Sequence, residues 1–224
     1  MTQPFAAILS DLDGVLVDSG DSIEHTWGMW ARSVDLDPAV LDGRIHGRPA
    51  GDVIAEVAPH LDAAEQAQTI SALDLAGPPA RLLPGAAELL GGASGLPVAI
   101  VTSCGPALAH ERLRAAALPV PAVLVTSDRV SAGKPDPEGY RLAAAELRVA
   151  PERCVVLEDA PAGIAAARAA GATVIAIATT HRPEELQAAD TIVGSVAEAL
   201  RLLASGYGPG SDGWAADAPR RRGS

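Results

Sequence analysis

The chain has 224 residues, of which 48% are hydrophobic and only 3% aromatic, and it carries a formal charge of −11. That length suits one domain of moderate size, or a core with a small insertion. The acidic balance argues against general binding to nucleic acid or anionic membrane, which rests on basic patches. A small anionic substrate stays open, because a bound cation reverses the local field.

The N-terminus has no basic start, and its first apolar run is too short for a signal peptide. Five short apolar runs read as buried strands: Phe5–Ser10, Pro97–Thr102, Val120–Thr126, Arg153–Glu158 and Ala172–Ile177. They are continuous rather than alternating, as in a parallel sheet covered on both faces. Helical patterns at Pro106–Ala117, Pro137–Arg148 and Pro161–Ala170 each open on a proline, which suits a first helical turn. Strand–helix alternation of this kind predicts a doubly wound α/β fold with a parallel sheet.

The segment from Ser19 to Pro84 is too long for a simple crossover and shows only helical stretches, near Ser22–Val34, Ala50–Val57 and Ala63–Leu75. The expected organisation is an α/β core over residues 1–18 and 84–204, an inserted helical cap over 19–83, and a tail over 205–224 without stable structure. The apolar region Ala160–Thr179 contains Arg168, which costs about 2.5–3.5 kcal/mol at the centre of a membrane helix, so it reads as helix then strand. Cys104 and Cys154 are the only cysteines and have no metal-like spacing, so two free thiols in a reducing cytoplasm are expected. Gly208–Gly213 matches G-x-G-x-x-G, but no strand precedes it and it carries no nucleotide-site reading.

Ligands of open α/β sheets bind beyond the carboxyl ends of the strands. The first run ends in Asp11 and Asp13, the second in Thr102 and Ser103, the fourth in Glu158 and Asp159. Lys134, the only lysine in the chain, lies in the loop after the third. Asp11, Asp13 and Asp159 around one point, with no His or Cys, suit Mg²⁺. Glu158 is either a ligand through water or a partner behind the ligands. Thr102, Ser103 and Lys134 can bind phosphate oxygens. The set suits phosphoryl transfer to a carboxylate: Asp11 attacks phosphorus, and Asp13 protonates the leaving alkoxide and then deprotonates water.

These stretches resemble the four motifs of the haloacid dehalogenase-like phosphatases: DLDGVLVDS at Asp11–Ser19, VTS at Val101–Ser103, GKPDPEGY at Gly133–Tyr140 and VVLEDAPAGIAAARAAG at Val155–Gly171. The resemblance implies Asp11 as nucleophile, Asp13 as acid/base and a metal-site carbonyl, Thr102 and Lys134 as phosphate stabilisers, and Asp159 as metal ligand. Arg44–Pro49 looks like the substrate loop of sugar- and polyol-phosphate phosphatases in the β-phosphoglucomutase-like subgroup, which implies His46, Gly47 and Arg48 as specificity residues. The expectation is a Mg²⁺-dependent phosphatase of a small phosphorylated metabolite, acting as a monomer through an aspartyl-phosphate. A sugar-phosphate mutase and a non-catalytic phosphometabolite-binding module are the alternatives.

Overall fold

A computed structural model describes residues 5–208. In chain order its elements are β1 (Ala7–Ser10), β2 (Val17–Asp18), α1 (Gly20–Ser33), α2 (Ala50–Val57), α3 (Ala63–Leu75), β3 (Arg81–Leu82), α4 (Ala86–Leu90), β4 (Val98–Val101), α5 (Pro106–Ala115), β5 (Val123–Val125), α6 (Glu138–Glu146), β6 (Cys154–Glu158), α7 (Pro161–Ala170), β7 (Thr173–Ile177), β8 (Thr191–Val193) and α8 (Val196–Ala204), with short 3₁₀ turns between some of them.

Six strands form one parallel sheet in the order β5-β4-β1-β6-β7-β8. β1 is central, with Ser10 opposite Ile100 on β4 and Leu157 on β6. The chain order reverses at β1, so the crevice beyond its carboxyl end is the topological switch point of a doubly wound sheet. Successive strand residues alternate between two apolar layers. Ile8, Ile100, Val155, Leu157 and Ile175 enter one, and Ala7, Leu9, Val101, Val156 and Val174 the other. Each large side chain so buried contributes about 1.5–3 kcal/mol, and the double covering is why the runs lack a polar alternation.

The five expected strands are present with trimmed ends, and a sixth, β8, closes the sheet beside β7. The helix expected from Pro137 begins at Glu138, with Pro137 as its cap residue. The helical stretch between β2 and β3 has its own apolar cluster, centred on Trp27, Trp30, Leu41, Val53, Ile54 and Ile70. Trp27 and Trp30 meet edge to face at 5.5 Å, a geometry favoured by the ring quadrupoles. Trp30 Nε1 donates to Gln66 Oε1 at 2.9 Å, which joins α1 to α3. β2 and β3 pair antiparallel, Val17 with Leu82 and Asp18 with Arg81, so the chain leaves and rejoins the sheet through one short ribbon.

Among the described residues no helix is long and apolar enough to cross a membrane. Most of the tail, and all of the G-x-G-x-x-G stretch after Gly208, lies outside them.

Candidate active site

Asp11 follows the last residue of β1 and is 3% exposed. Its Oδ1 accepts from the Leu12 backbone N–H at 2.7 Å and lies 3.0 Å from Lys134 Nζ. Lys134 comes from the loop between β5 and α6, and its ammonium also donates to Glu158 Oε1 at 2.6 Å. Glu158 ends β6 with no exposure at all. Tyr140 Oη donates to the same Oε1 at 2.6 Å, and the backbone N–H groups of Asp159 and Ala160 donate to Oε2 at 3.0 and 3.3 Å. Both Glu158 oxygens are therefore occupied within the protein. Of the two roles open to Glu158, this geometry supports a partner that fixes Lys134.

Asp159 stands next to Glu158 and is also buried. Thr180, beyond the end of β7, donates to its Oδ2. Gly14 packs against that carboxylate at φ +74°, where a Cβ would overlap Asp159 Oδ2. Only glycine tolerates both the backbone angle and the approach. Carboxylate oxygens of Asp11, Glu158 and Asp159 lie within 4.8 Å of one another.

Three carboxylates around one ammonium leave an excess of buried negative charge. Burial pushes Asp11 up to about 7, helped by Glu158 and Asp13 and opposed by Lys134. Asp159 is pushed well above the usual carboxylate range, first by burial and then by Glu158 and Asp11. Burial works against the charge on Lys134, yet Asp11 and Glu158 hold it protonated above its ordinary range. An all-oxygen donor set with uncompensated negative charge fits a hard divalent cation such as Mg²⁺. Asp11 and Asp159 retain oxygens for it, whereas Glu158 does not.

Asp13 lies two residues beyond Asp11. Ser19 Oγ donates to its Oδ1 at 2.6 Å, and Arg112 of α5 pairs with its Oδ2. Thr102, at the end of β4, is 5% exposed and its Oγ1 accepts from the Cys104 backbone N–H at 3.2 Å. Ser103 Oγ donates to the Gly47 carbonyl at 3.2 Å, a direct link from the loop after β4 to the helical insertion.

A cavity of about 390 Å³ lies between the strand ends and the insertion, and Asp11, Asp13, Thr102, Ser103, Gly47 and Arg48 all line it. Trp27, Gln68, Ser71 and Asp74 of the insertion complete its wall. Arg48 Nη1 is 3.0 Å from Glu56 Oε2. His46 stands at the seam instead, with Nε2 3.8 Å from Glu24 Oε1 and its ring 6.1 Å from that of His181. Burial and the neighbouring His181 lower its pKa.

Sequence reasoning missed Tyr140, Thr180, Asp74 and Arg112 as parts of this site. Arg112 alone left a readable signal. It falls at helical spacing with Leu108, Ala109 and Leu113, on the buried face of α5. A charged residue on such a face needs a partner.

A sequence model for the haloacid dehalogenase-like hydrolases matches residues 5–171. Hexitol phosphatase A of Escherichia coli (strain K12) is 40% identical over 199 residues, 84% of this chain and 90% of that protein. Validoxylamine A 7'-phosphate phosphatase of Streptomyces hygroscopicus subsp. limoneus is 38% identical over 206 residues, 87% of this chain and 95% of that one. The crystal structure of CbbY from Rhodobacter sphaeroides in complex with phosphate matches with a TM-score of 0.76 at 28% identity, covering 87% of this chain and 96% of that one.

Proposed function

Because the chain belongs to the haloacid dehalogenase-like hydrolases, we propose that it is a Mg²⁺-dependent phosphatase of small polyol or sugar monophosphates. The observation that carries this reading is the Asp11 carboxylate. Oδ1 is held by Lys134 and the Leu12 N–H while the side chain lines a cavity large enough for a phosphorylated polyol. With Oδ1 held on the Lys134 side, where the metal would share it, Oδ2 is left to attack phosphorus in line, and the ester is split in two steps through an aspartyl-phosphate.

Lys134, with the hydroxyl of Thr102 and the backbone N–H of Ser103, supplies the charge and donors that a bound phosphoryl group needs. Asp13 donates a proton to the leaving alkoxide and then takes one from water. Asp11, Asp159 and the Asp13 carbonyl would hold the metal, whose charge offsets that of the phosphate as an anionic nucleophile approaches. The helical insertion would serve as a cap, with the Ser103–Gly47 bond holding it over the crevice and limiting water at the reacting centre.

The cavity favours hydrolysis over mutase chemistry. A mutase working through a bisphosphate needs a cation for the second phosphate. The two arginines that line the cavity are already ion-paired, Arg48 with Glu56 and Arg112 with Asp13 and Asp74. Gln68, Ser71 and Asp74 suit hydroxyl groups. The relatedness to hexitol phosphatase A makes hexitol phosphates the first substrates to try.

The test is phosphate release from a panel of hexitol, glycerol and hexose monophosphates, with Mg²⁺ and with EDTA. Release from hexitol phosphates that EDTA abolishes and Asp11→Asn removes is the expected result. No release from any ester at high enzyme concentration overturns the reading. Conversion of one sugar phosphate into an isomer without free phosphate would establish the mutase instead.

A further inference from the structure

Arg112 is 5% exposed and lies between two carboxylates that belong to different parts of the molecule. Nη1 pairs with Oδ2 of Asp13, in the loop after β1. Nη2 lies 2.7 Å from Oδ2 of Asp74, near the C-terminal end of α3 in the helical insertion. The Asp74 side chain is 8% exposed, and its Oδ1 accepts from Ser22 Oγ on α1 at 2.7 Å. Arg112 Nη1 also approaches Cys104 Sγ at 3.5 Å. All three charged residues line the same cavity.

A guanidinium is a planar fork whose two ends engage two acceptors in fixed relative positions. Here one end holds Asp13 and the other holds the insertion. A buried cation with two anionic partners is costly to leave half paired. The Asp13 carboxylate and the seated insertion are thus bound to one rigid group. If the insertion lifts, Asp74 leaves with it, and Arg112 loses the anchor that fixes its orientation toward Asp13.

We propose that Arg112 is a positioning residue that ties the placement of the Asp13 carboxylate to the seating of the helical insertion through Asp74. This inference rests on the phosphatase reading, in which Asp13 protonates the leaving group. Arg112 lines the cavity, but its ion pairs are with Asp13 and Asp74 and not with Asp11, so the role assigned to it runs through Asp13.

The consequence appears in leaving-group dependence. An alkoxide leaving from a hexitol phosphate needs a proton, whereas p-nitrophenolate leaves without one. The parameter kcat/KM reports steps through the first irreversible one, here phosphorylation of Asp11, so it isolates the acid role from the later attack of water. Arg112→Met is expected to lower the ratio of kcat/KM for a hexitol 6-phosphate to that for p-nitrophenyl phosphate by about tenfold or more, a fraction of what general acid catalysis supplies. Asp74→Asn, which keeps the side-chain shape and the Ser22 contact, is expected to move the ratio in the same direction by about threefold. Its effect should vanish in an Arg112→Met/Asp74→Asn double variant, because the two act as one unit. Arg112→Lys should restore only part of the ratio, since a point charge cannot span both carboxylates.

A ratio that stays at the wild-type value in folded Asp74→Asn and Arg112→Met proteins, with wild type active, overturns the role of Arg112 alone. Additive effects of the two substitutions likewise overturn it. A wild-type enzyme that releases phosphate from neither ester overturns the phosphatase reading, and this inference with it.

Discussion

The ammonium of Lys134 lies 2.6 Å from Glu158 Oε1 and 3.0 Å from Asp11 Oδ1, so one cation joins the ends of β1 and β6. Glu158 has no exposure, Lys134 has 5%, and every other acceptor position used on Glu158 is filled by Tyr140 or backbone. The position of Nζ is therefore set on one side by Glu158, itself fixed by Tyr140 and backbone donors, and on the other by Asp11. An arginine placed there would present a wider fork than this pocket accepts. Lys134→Arg is expected to lower kcat on the best substrate by about 10²-fold or more. Steady-state assay of the folded variant checks it, and near wild-type turnover would contradict the assignment of Lys134 to the phosphate.

Gly14 carries the second prediction. Its positive φ and its contact with Asp159 mean that alanine is penalised twice. The backbone term alone is about 1–2 kcal/mol, which for a domain of this size lowers Tm by about 2–8 °C. The new methyl group also displaces Asp159. Gly14→Ala should therefore bind Mg²⁺ more weakly in a titration followed by activity or calorimetry, in addition to melting earlier. A variant that melts earlier but binds Mg²⁺ normally would show that Asp159 is not a ligand.

A third prediction concerns pH and metal together. In the metal-free protein Asp11 is raised to about 7 from an ordinary value of 3.8, chiefly by burial. A carboxylate whose folded pKa is raised takes up a proton on folding, so its ionisation disfavours the folded state. Below about pH 4 the group is neutral in both states and costs nothing. From about pH 4 to about pH 7 the metal-free protein should lose stability as pH rises. A cation binding the ionised form removes this penalty. Mg²⁺ is therefore expected to raise Tm more at pH 8 than at pH 5, measured by differential scanning calorimetry with EDTA controls. An equal shift at both values would place the cation elsewhere.

Cys104 gives the fourth. It lies beside Thr102 and Asp13, and burial pushes its thiol up to about 12, with the Asp13 charge adding to the effect. Cys154 is pushed up to about 11, again mainly by burial. Reactivity follows the thiolate, so neither thiol should react quickly with iodoacetamide in the folded protein at neutral pH. Both should react after denaturation. Mass spectrometry of the labelled protein decides it, and rapid labelling of Cys104 in the native state would sink the prediction.

The parts of the fold that were legible are those whose signal is local. β1 and β6 read as continuous apolar runs because both faces of a central parallel strand are covered. β8 was not legible. Its three residues are only half-buried at the sheet edge, and Asp190 and Gly194 flank it. The β2–β3 ribbon has two residues in each strand, too few for any periodicity. The same division runs through the site. Asp11, Thr102, Lys134 and Asp159 each announce themselves at a strand end or in a constrained loop, where polar residues interrupt an apolar pattern. What Glu158 does depends on Tyr140, Lys134 and two backbone donors brought in by folding, and the sequence around Glu158 carries no trace of the tyrosine or lysine. Asp74 lies in the last turn of α3, a helix with little apolar periodicity, and only its proximity to Arg112 gives it significance.

The ribbon that pairs Val17 with Leu82 and Asp18 with Arg81 has an evolutionary consequence. Because the detour through the helices starts and finishes at adjacent residues, the sheet sees nearly the same two chain ends whatever lies between them. Lineages can lengthen, shorten or replace that stretch, and so acquire new substrates, without redesigning the strand that bears Asp11.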